Sequence, residues 1–261
     1  MSASENCYDF PQYWDLAFSD ETEAEADFVQ AVVSKYCSLD LKSVFEPACG
    51  GGRLLLELAR RAINVTGCDL SEAAVRYAQQ RLQSVNASNN IVVADMRTHR
   101  LSDPVDVACC FVNSFRHLLT EEDAVEHLQT MATNIRPGGL YLIGMHLLPP
   151  DADEEDDEEW SVTEDGITVE MRLDVTSCDR ETRLETLRFE MLVQDPAAEQ
   201  SQRFVTEYPM RIYLAEQFRS LIEKVPEFHL LDVYDFWFDI DEPLILNDDL
   251  GDTVFVLQRS T

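Results

Sequence analysis

The chain has 261 residues, 45% of them hydrophobic and 9% aromatic, which is enough for a sizeable core and argues against disorder. Twenty basic residues against fifty acids leave a formal net charge of −30, so nucleic-acid phosphates and anionic membrane surfaces are disfavoured partners. That charge suits a cationic small molecule or a basic partner, and a solvated acidic surface accounts for it equally.

The predicted elements alternate at first. A helix runs from a cap at Ser19 or Asp20 to about Cys37, with Glu21, Glu23 and Glu25 near its positive end. Lys42–Glu46 reads as a strand, Leu54–Ala62 as a helix and Asn64–Cys68 as a second strand. Ser71 caps a helix to about Ser84, and Ile91–Ala94 and Val105–Val112 are the third and fourth strands. Thr120-Glu121-Glu122-Asp123 resembles a capping box, behind which Val125, Leu128, Met131, Ala132 and Ile135 share a helical face. Arg136-Pro137-Gly138-Gly139 stops that helix, and Leu140–Leu147 is the fifth strand. Near-continuous apolar strands alternating with helices imply an α/β fold: a doubly wound, mostly parallel sheet covered on both faces.

Residues 151 to 159 hold eight acids in nine positions and read as a solvated, mobile loop. From Trp160 to Tyr208 the apolar period becomes two, with turn residues at Ser177–Arg180 and an interruption at Pro209. This predicts an antiparallel β insert of about three strands. Leu214–Val225 returns to helix, and Phe228–Phe238 with Thr253–Gln258 can close the sheet as a hairpin. The expected organisation is a core of residues 1–150 and 210–261, with 151–209 inserted as a lid.

Seven cysteines without a CxxC pattern predict reduced thiols. The opening Met1-Ser2-Ala3-Ser4-Glu5 lacks the basic and apolar stretches of a signal peptide, and no apolar run approaches the length of a membrane span. A cytoplasmic location and no membrane partner are expected. His99, His127, His146 and His229 show no metal-ligand spacing, so no metal is expected. Oligomeric state is not legible.

The segment richest in chemistry is Glu46-Pro47-Ala48-Cys49-Gly50-Gly51-Gly52-Arg53, between a strand and a helix. Glycines there let a ligand approach the backbone, and the helix start offers free N–H groups. A dinucleotide GxGxxG pattern needs glycine at position 55, which is Leu55, and Glu46 would repel a pyrophosphate. An acid there suits a ligand with positive charge.

With Glu46-x-Ala48-x-Gly50-x-Gly52, the chain resembles the class I S-adenosylmethionine-dependent methyltransferases, Ala48 replacing the first glycine. The likeness continues in order through Val65–Leu70, Val92–Met96, Val107–Ser114 and Arg136–Leu140. It implies a Rossmann-like seven-stranded sheet and S-adenosyl-L-methionine as cofactor. It places cofactor contacts at Glu46, Ala48, Cys49, Gly50, Gly52 and Arg53, at Asp69 (ribose hydroxyls) with Leu70, at Asp95 (adenine amino group) with Met96, and at Phe111. Structural roles are the alternatives: turn glycines at 50 and 52, a helix cap at Asp69, a solvated acid at Asp95.

Asn113-Ser114-Phe115-Arg116-His117 resembles the Ser-x-x-His loop of the small-molecule branch, including amino-sugar N,N-dimethyltransferases, which puts His117 at the acceptor as base. Asn113 and Tyr13 join it as catalytic candidates, and Tyr13-Trp14-Asp15-Leu16-Ala17 resembles an N-terminal stretch that closes over the cofactor. Ser114, Arg116, Arg211 and Tyr213 are candidate acceptor contacts, with Trp160, Phe189, Phe204 and Tyr208 on the lid's inner face. A backbone-bonded His117 and core packing for the aromatics are the alternatives. The expected partner is a small-molecule methyl acceptor, methylated at nitrogen. The competing readings are O-methylation and a non-catalytic scaffold that binds S-adenosylmethionine.

Overall fold

In the computed structural model, residues 6–38, 40–87, 90–152, 157–197 and 201–261 are described. A short helix, α1 (Pro11–Ala17), precedes α2 (Thr22–Tyr36). Pro11 occupies the first turn of α1, where its missing N–H costs nothing. The predicted cap at Ser19 or Asp20 is absent: those residues form a 3₁₀ turn, and α2 follows it without a side-chain cap. Then come β1 (Ser43–Pro47), α3 (Arg53–Arg60), β2 (Asn64–Asp69), α4 (Glu72–Ser84), β3 (Asn90–Val93), β4 (Val105–Cys110), α5 (Glu121–Asn134) and β5 (Ile135–His146). Ser71 and Thr120 cap α4 and α5 by accepting from Ala74 N–H and Asp123 N–H.

β5 starts earlier than the Pro-Gly-Gly signal implied. Ile135 already pairs with Val105 across a register shift, so Arg136–Gly139 lies inside the strand instead of forming a turn.

The insert is four strands, not three: β6 (Asp157–Glu164), β7 (Ile167–Asp179), β8 (Leu184–Gln194) and β9 (Gln202–Arg211), all antiparallel. The predicted acidic loop is shortened, because residues 157–159 pair with β7. Residues 153–156 of that segment lie outside the described residues, as do residues 1–5. Pro209 does not break β9. It sits on an edge strand, where a missing N–H leaves no ladder bond unmade.

After α6 (Ala215–Glu223), β10 (Phe228–Tyr234) and β11 (Asp252–Arg259) form the expected antiparallel pair. The main sheet has the order β10-β11-β5-β4-β1-β2-β3, parallel from β3 to β5 and antiparallel at β11. Leu128, Met131 and Phe218 from α5 and α6 fill one face, and Val29, Leu55 and Ala78 from α2, α3 and α4 fill the other. Strand order reverses between β1 and β4, which opens a crevice at their carboxyl ends.

The second sheet buries Val169, Met171, Phe189 and Phe204 against Cys7, Tyr13 and Leu16. The N-terminal segment is thus wedged between the two sheets, and Trp160 donates from its indole N–H to the Ala17 carbonyl at 3.0 Å. None of the seven cysteines is assigned to a disulfide. Among the described residues no helix is long and apolar enough to cross a membrane, and no cluster of three or more His, Cys, Asp or Glu is disposed to hold a metal.

Candidate functional site

A cavity of about 1340 Å³ opens at the carboxyl ends of β1 and β4. Its floor is the turn after β1. Ala48, Gly50 and Gly52 there all adopt positive φ. Cys49 N–H donates to Cys68 O at 3.0 Å, tying the turn to β2. Asp69, at the end of β2, accepts Gly50 N–H at 2.9 Å on one carboxylate oxygen and Ser71 N–H at 2.8 Å on the other. Each oxygen keeps a lone pair for a further donor.

Four acids converge on this floor. Burial pushes the Glu46 carboxyl well above its ordinary range; Arg53 opposes that shift, while Glu25, Asp15 and Asp69 reinforce it. Burial likewise raises Asp15 to about 6 against the pull of Arg81 and Arg53, and raises Asp69 against its backbone donors. Arg53 pairs with Glu25 at 2.6 Å and Thr22 at 2.8 Å. Oε2 of Glu46 and Oε2 of Glu25 are buried with no hydrogen-bond partner among the described residues. A buried carboxylate oxygen without a donor is costly. It fits the ammonium of S-adenosylmethionine, which supplies donors and positive charge.

The opposite wall follows β4. Val112 and Asn113 have φ of +51° and +62°, a strained arrangement for a β-branched residue. Asn113 Oδ1 accepts His146 N–H at 2.8 Å, which anchors the turn that carries Ser114 and His117. Nε2 of His117 lies 3.2 Å from the Tyr8 hydroxyl, and its ring packs on Tyr208. Solvent reaches His117 through the cavity. Surrounding protein and the neighbouring Arg116 charge hold its pKa down to about 4, so the imidazole is neutral near pH 7.

Among the sequence-predicted residues, Trp14, Glu46, Ala48, Cys49, Gly50, Arg53, Asp69, Leu70, Met96, Phe111, Asn113, Ser114 and His117 all face this one cavity. Others do not. Gly52 packs instead on Ala78, where a Cβ would lie 3.1 Å from the Ala78 Cβ. Asp95 is clasped by Arg97, whose Nη2 is 2.7 Å from Oδ2, and that pairing lowers its pKa. Tyr13 turns into the insert's core and donates to Asp195 at 3.3 Å.

Of the four acceptor candidates, Ser114 lines the cavity, and Arg116, Arg211 and Tyr213 do not. Arg116 is buried in an ion pair with Glu185 and donates to Arg211 O at 2.9 Å. Arg211 donates to Leu119 O at 2.6 Å, and Tyr213 is buried beside Phe115 and Phe218. Each looked available because an isolated charge or hydroxyl reads as exposed, but burial between sheet and insert uses it for packing. Of the aromatics expected on the insert's inner face, Trp160, Phe189 and Tyr208 line the cavity and Phe204 packs in the core.

Sequence reasoning missed Asp15 and Glu25 as wall residues. Asp15 lay within the quoted N-terminal stretch. Glu25 read as a helix-dipole acid, although its partner Arg53 was already a site candidate.

Residues 44–139 match a family described as a methyltransferase domain. A Cupriavidus pinatubonensis protein named Ubiquinone biosynthesis O-methyltransferase is 38% identical over 104 residues, 39% of this chain and 40% of that protein. A Saccharopolyspora spinosa protein named dTDP-4-amino-2,3,4,6-tetradeoxy-D-glucose N,N-dimethyltransferase is 29% identical over 104 residues, 40% of each chain. The chain spans about half the length of the curated relatives it matches, 57% and 42% for a Geobacillus and a Bacillus subtilis protein. The fold is similar throughout to a crystal structure of an S-adenosylmethionine-dependent methyltransferase from Clostridium acetobutylicum, with a TM-score of 0.77 at 16% identity, covering 98% of this chain and 100% of that one. With the crevice at the strand reversal and acids at the ends of β1 and β2 in place, residues 44–139 are similar to a methyltransferase domain.

Proposed function

We propose that this chain transfers a methyl group from S-adenosylmethionine to a nitrogen of a small molecule. The carrying observation is that a donorless buried carboxylate, Glu46, and the neutral His117 line one cavity. When bound, S-adenosylmethionine supplies an electrophilic methyl group on a positively charged sulfur.

Glu46 Oε2 would accept from the cofactor's ammonium, and Asp69 from its ribose hydroxyls through the lone pairs its backbone donors leave. Leu70, 72% exposed at the cavity edge, and Met96 offer apolar faces to the adenine ring. The strained Val112–Asn113 backbone holds the His117 turn toward the acceptor. His117 would take the proton that the attacking nitrogen sheds, because its ring nitrogen is unprotonated at neutral pH. The second sheet would close the acceptor side and exclude water through Trp160, Phe189 and Tyr208, which favours an in-line displacement held in alignment. The named reaction of the Saccharopolyspora relative supports nitrogen.

A second reading, transfer to oxygen, is favoured by one contact: the Tyr8 hydroxyl stands 3.2 Å from His117 Nε2, where an acceptor hydroxyl would stand.

The test is a melting curve with S-adenosylhomocysteine, with Asp69→Ala as control. A ligand at about 100 times its Kd stabilises by roughly 2.7 kcal/mol. That is a shift on the order of 5–10 °C for a chain this size. A shift that disappears in the variant supports the reading, and no shift at saturation overturns it. Mass analysis of products from paired amine and hydroxyl acceptors then separates nitrogen from oxygen.

A further inference from the structure

The cavity is larger than the cofactor alone requires, and its second half has a distinct chemistry. Beyond the β1 turn, aromatic rings form an unbroken wall. His117 lies 5.4 Å from Tyr208 between centroids, Tyr208 lies 5.7 Å from Tyr8, Tyr8 lies 4.7 Å from Trp14, and Trp14 lies 4.7 Å from Phe189. Trp160 continues the wall at 5.8 Å from Phe189. All six face the cavity. Ring faces carry negative electrostatic potential and attract ammonium groups.

The lining charge has the same sign. Asp9, Asp20, Glu21, Glu158 and Glu159 are exposed residues of the wall, in addition to the buried acids beneath. Arg53 is the one Lys or Arg on the wall among the described residues, and Glu25 already holds it. Every Lys, Arg and His side chain of the protein belongs to the described residues. The other side chains of the wall that can carry positive charge are His117, neutral near pH 7, and His146, whose Nδ1 lies 3.2 Å from Asp252. Phosphate and diphosphate groups are held by guanidinium, ammonium or clustered N–H donors. At this site Asp69 occupies the Gly50 and Ser71 N–H groups.

We infer that the acceptor is a small amine, cationic in solution and without phosphate, held against the Tyr8–Tyr208–Trp160 wall. The inference rests on the methyl-transfer reading and narrows it. It sets this chain apart from enzymes whose amino sugar arrives on a nucleoside diphosphate, because a diphosphate would enter a negative, low-dielectric cleft without a counter-charge.

The test reads binding, not turnover. Trp14 and Trp160 face the cavity, and Trp237 is 87% exposed elsewhere, so a Trp237→Phe background leaves only the wall tryptophans to report by fluorescence. Tetramethylammonium and thymidine diphosphate are each titrated into this protein, with and without saturating S-adenosylhomocysteine. The expected result is a saturable change with tetramethylammonium that weakens with added salt, and none with thymidine diphosphate. Tyr208→Leu should raise the tetramethylammonium Kd by about tenfold. Glu159→Lys, an exposed site that leaves the core intact, should raise it as well, which keeps the test decisive if the Tyr208 variant misfolds.

Saturable thymidine diphosphate binding, or no saturation with tetramethylammonium, overturns the inference. A melting temperature unmoved by S-adenosylhomocysteine overturns the methyl-transfer reading instead, and the titrations on the unliganded protein still decide which charge the wall accepts.

Discussion

The Cβ that Gly51 lacks would collide with Oδ2 of Asp15. The N-terminal helix therefore presses its carboxylate directly onto the turn after β1, and Arg81 clamps both by pairing with Asp15 and donating to Gly51 O. Gly51→Ala should force Asp15 out of this clamp and cost about 1–3 kcal/mol. Chemical denaturation should show that loss shrinking in an Asp15→Ala background, since neighbours that share a contact are not additive.

The two predicted cofactor acids should part company. Asp69 faces the cavity with free lone pairs, whereas Asp95 is occupied by Arg97. Asp69→Ala should weaken S-adenosylhomocysteine binding by at least about tenfold, the scale of hydrogen bonds to a charged group. Asp95→Ala should leave it within about threefold, a loss no larger than that of one ordinary neutral hydrogen bond. Calorimetric titration of both variants decides between this arrangement and the adenine contact expected from resemblance.

Ligand binding should release protons. Asp15 titrates near 6 in the unliganded protein and Glu46 well above its ordinary range, because burial penalises their charged forms. A cationic ligand stabilises the carboxylates and so lowers these pKa values. Affinity should therefore rise as pH increases through about 6. Titration in two buffers of different ionisation enthalpy counts the protons, and Glu46→Gln should reduce the count.

His127 should make the fold acid-sensitive. It is fully buried, with Nδ1 2.8 Å from Met96 O and Nε2 2.6 Å from the Tyr141 hydroxyl, and burial holds its pKa down to about 4. Between pH 6.5 and 4 the unfolded chain binds a proton that the folded chain refuses, so stability falls as pH falls across that window. The loss is about 3 kcal/mol at its full extent. Denaturation midpoints of His127→Gln against pH should follow a shallower slope than the parent.

Arg116 and Glu185 join the His117 turn to β8 through a buried pair. Arg116→Ala leaves a buried carboxylate without its partner and should cost about 3–5 kcal/mol. Arg116→Met with Glu185→Leu should recover most of that in a thermal melt.

The β1 turn was legible because its residues are local in sequence, and the family resemblance supplied their expected roles. Glu46, Ala48, Gly50 and Asp69 sit at strand ends, and the backbone that positions them follows from strand-then-glycine spacing. Pro209 misled because edge and central strands look alike in a sequence, and only the pairing shows that β9 has a free side. Arg116, Arg211 and Tyr213 misled because a charge or hydroxyl carries no sign of what will be packed around it.

Local periodicity and turn chemistry thus determined the strand–helix alternation and the seven strands of the main sheet, and the family resemblance marked the acids at its crevice. Tertiary structure alone decided which side chains share the cavity. Tyr8 meets His117 across 109 positions of sequence, and Asp15 meets Gly51 only when the N-terminal segment is wedged under the second sheet. Such contacts depend on how the second sheet buries its apolar face against one short helix that also meets α4. That packing is a property of the whole chain and leaves no periodic trace in either segment.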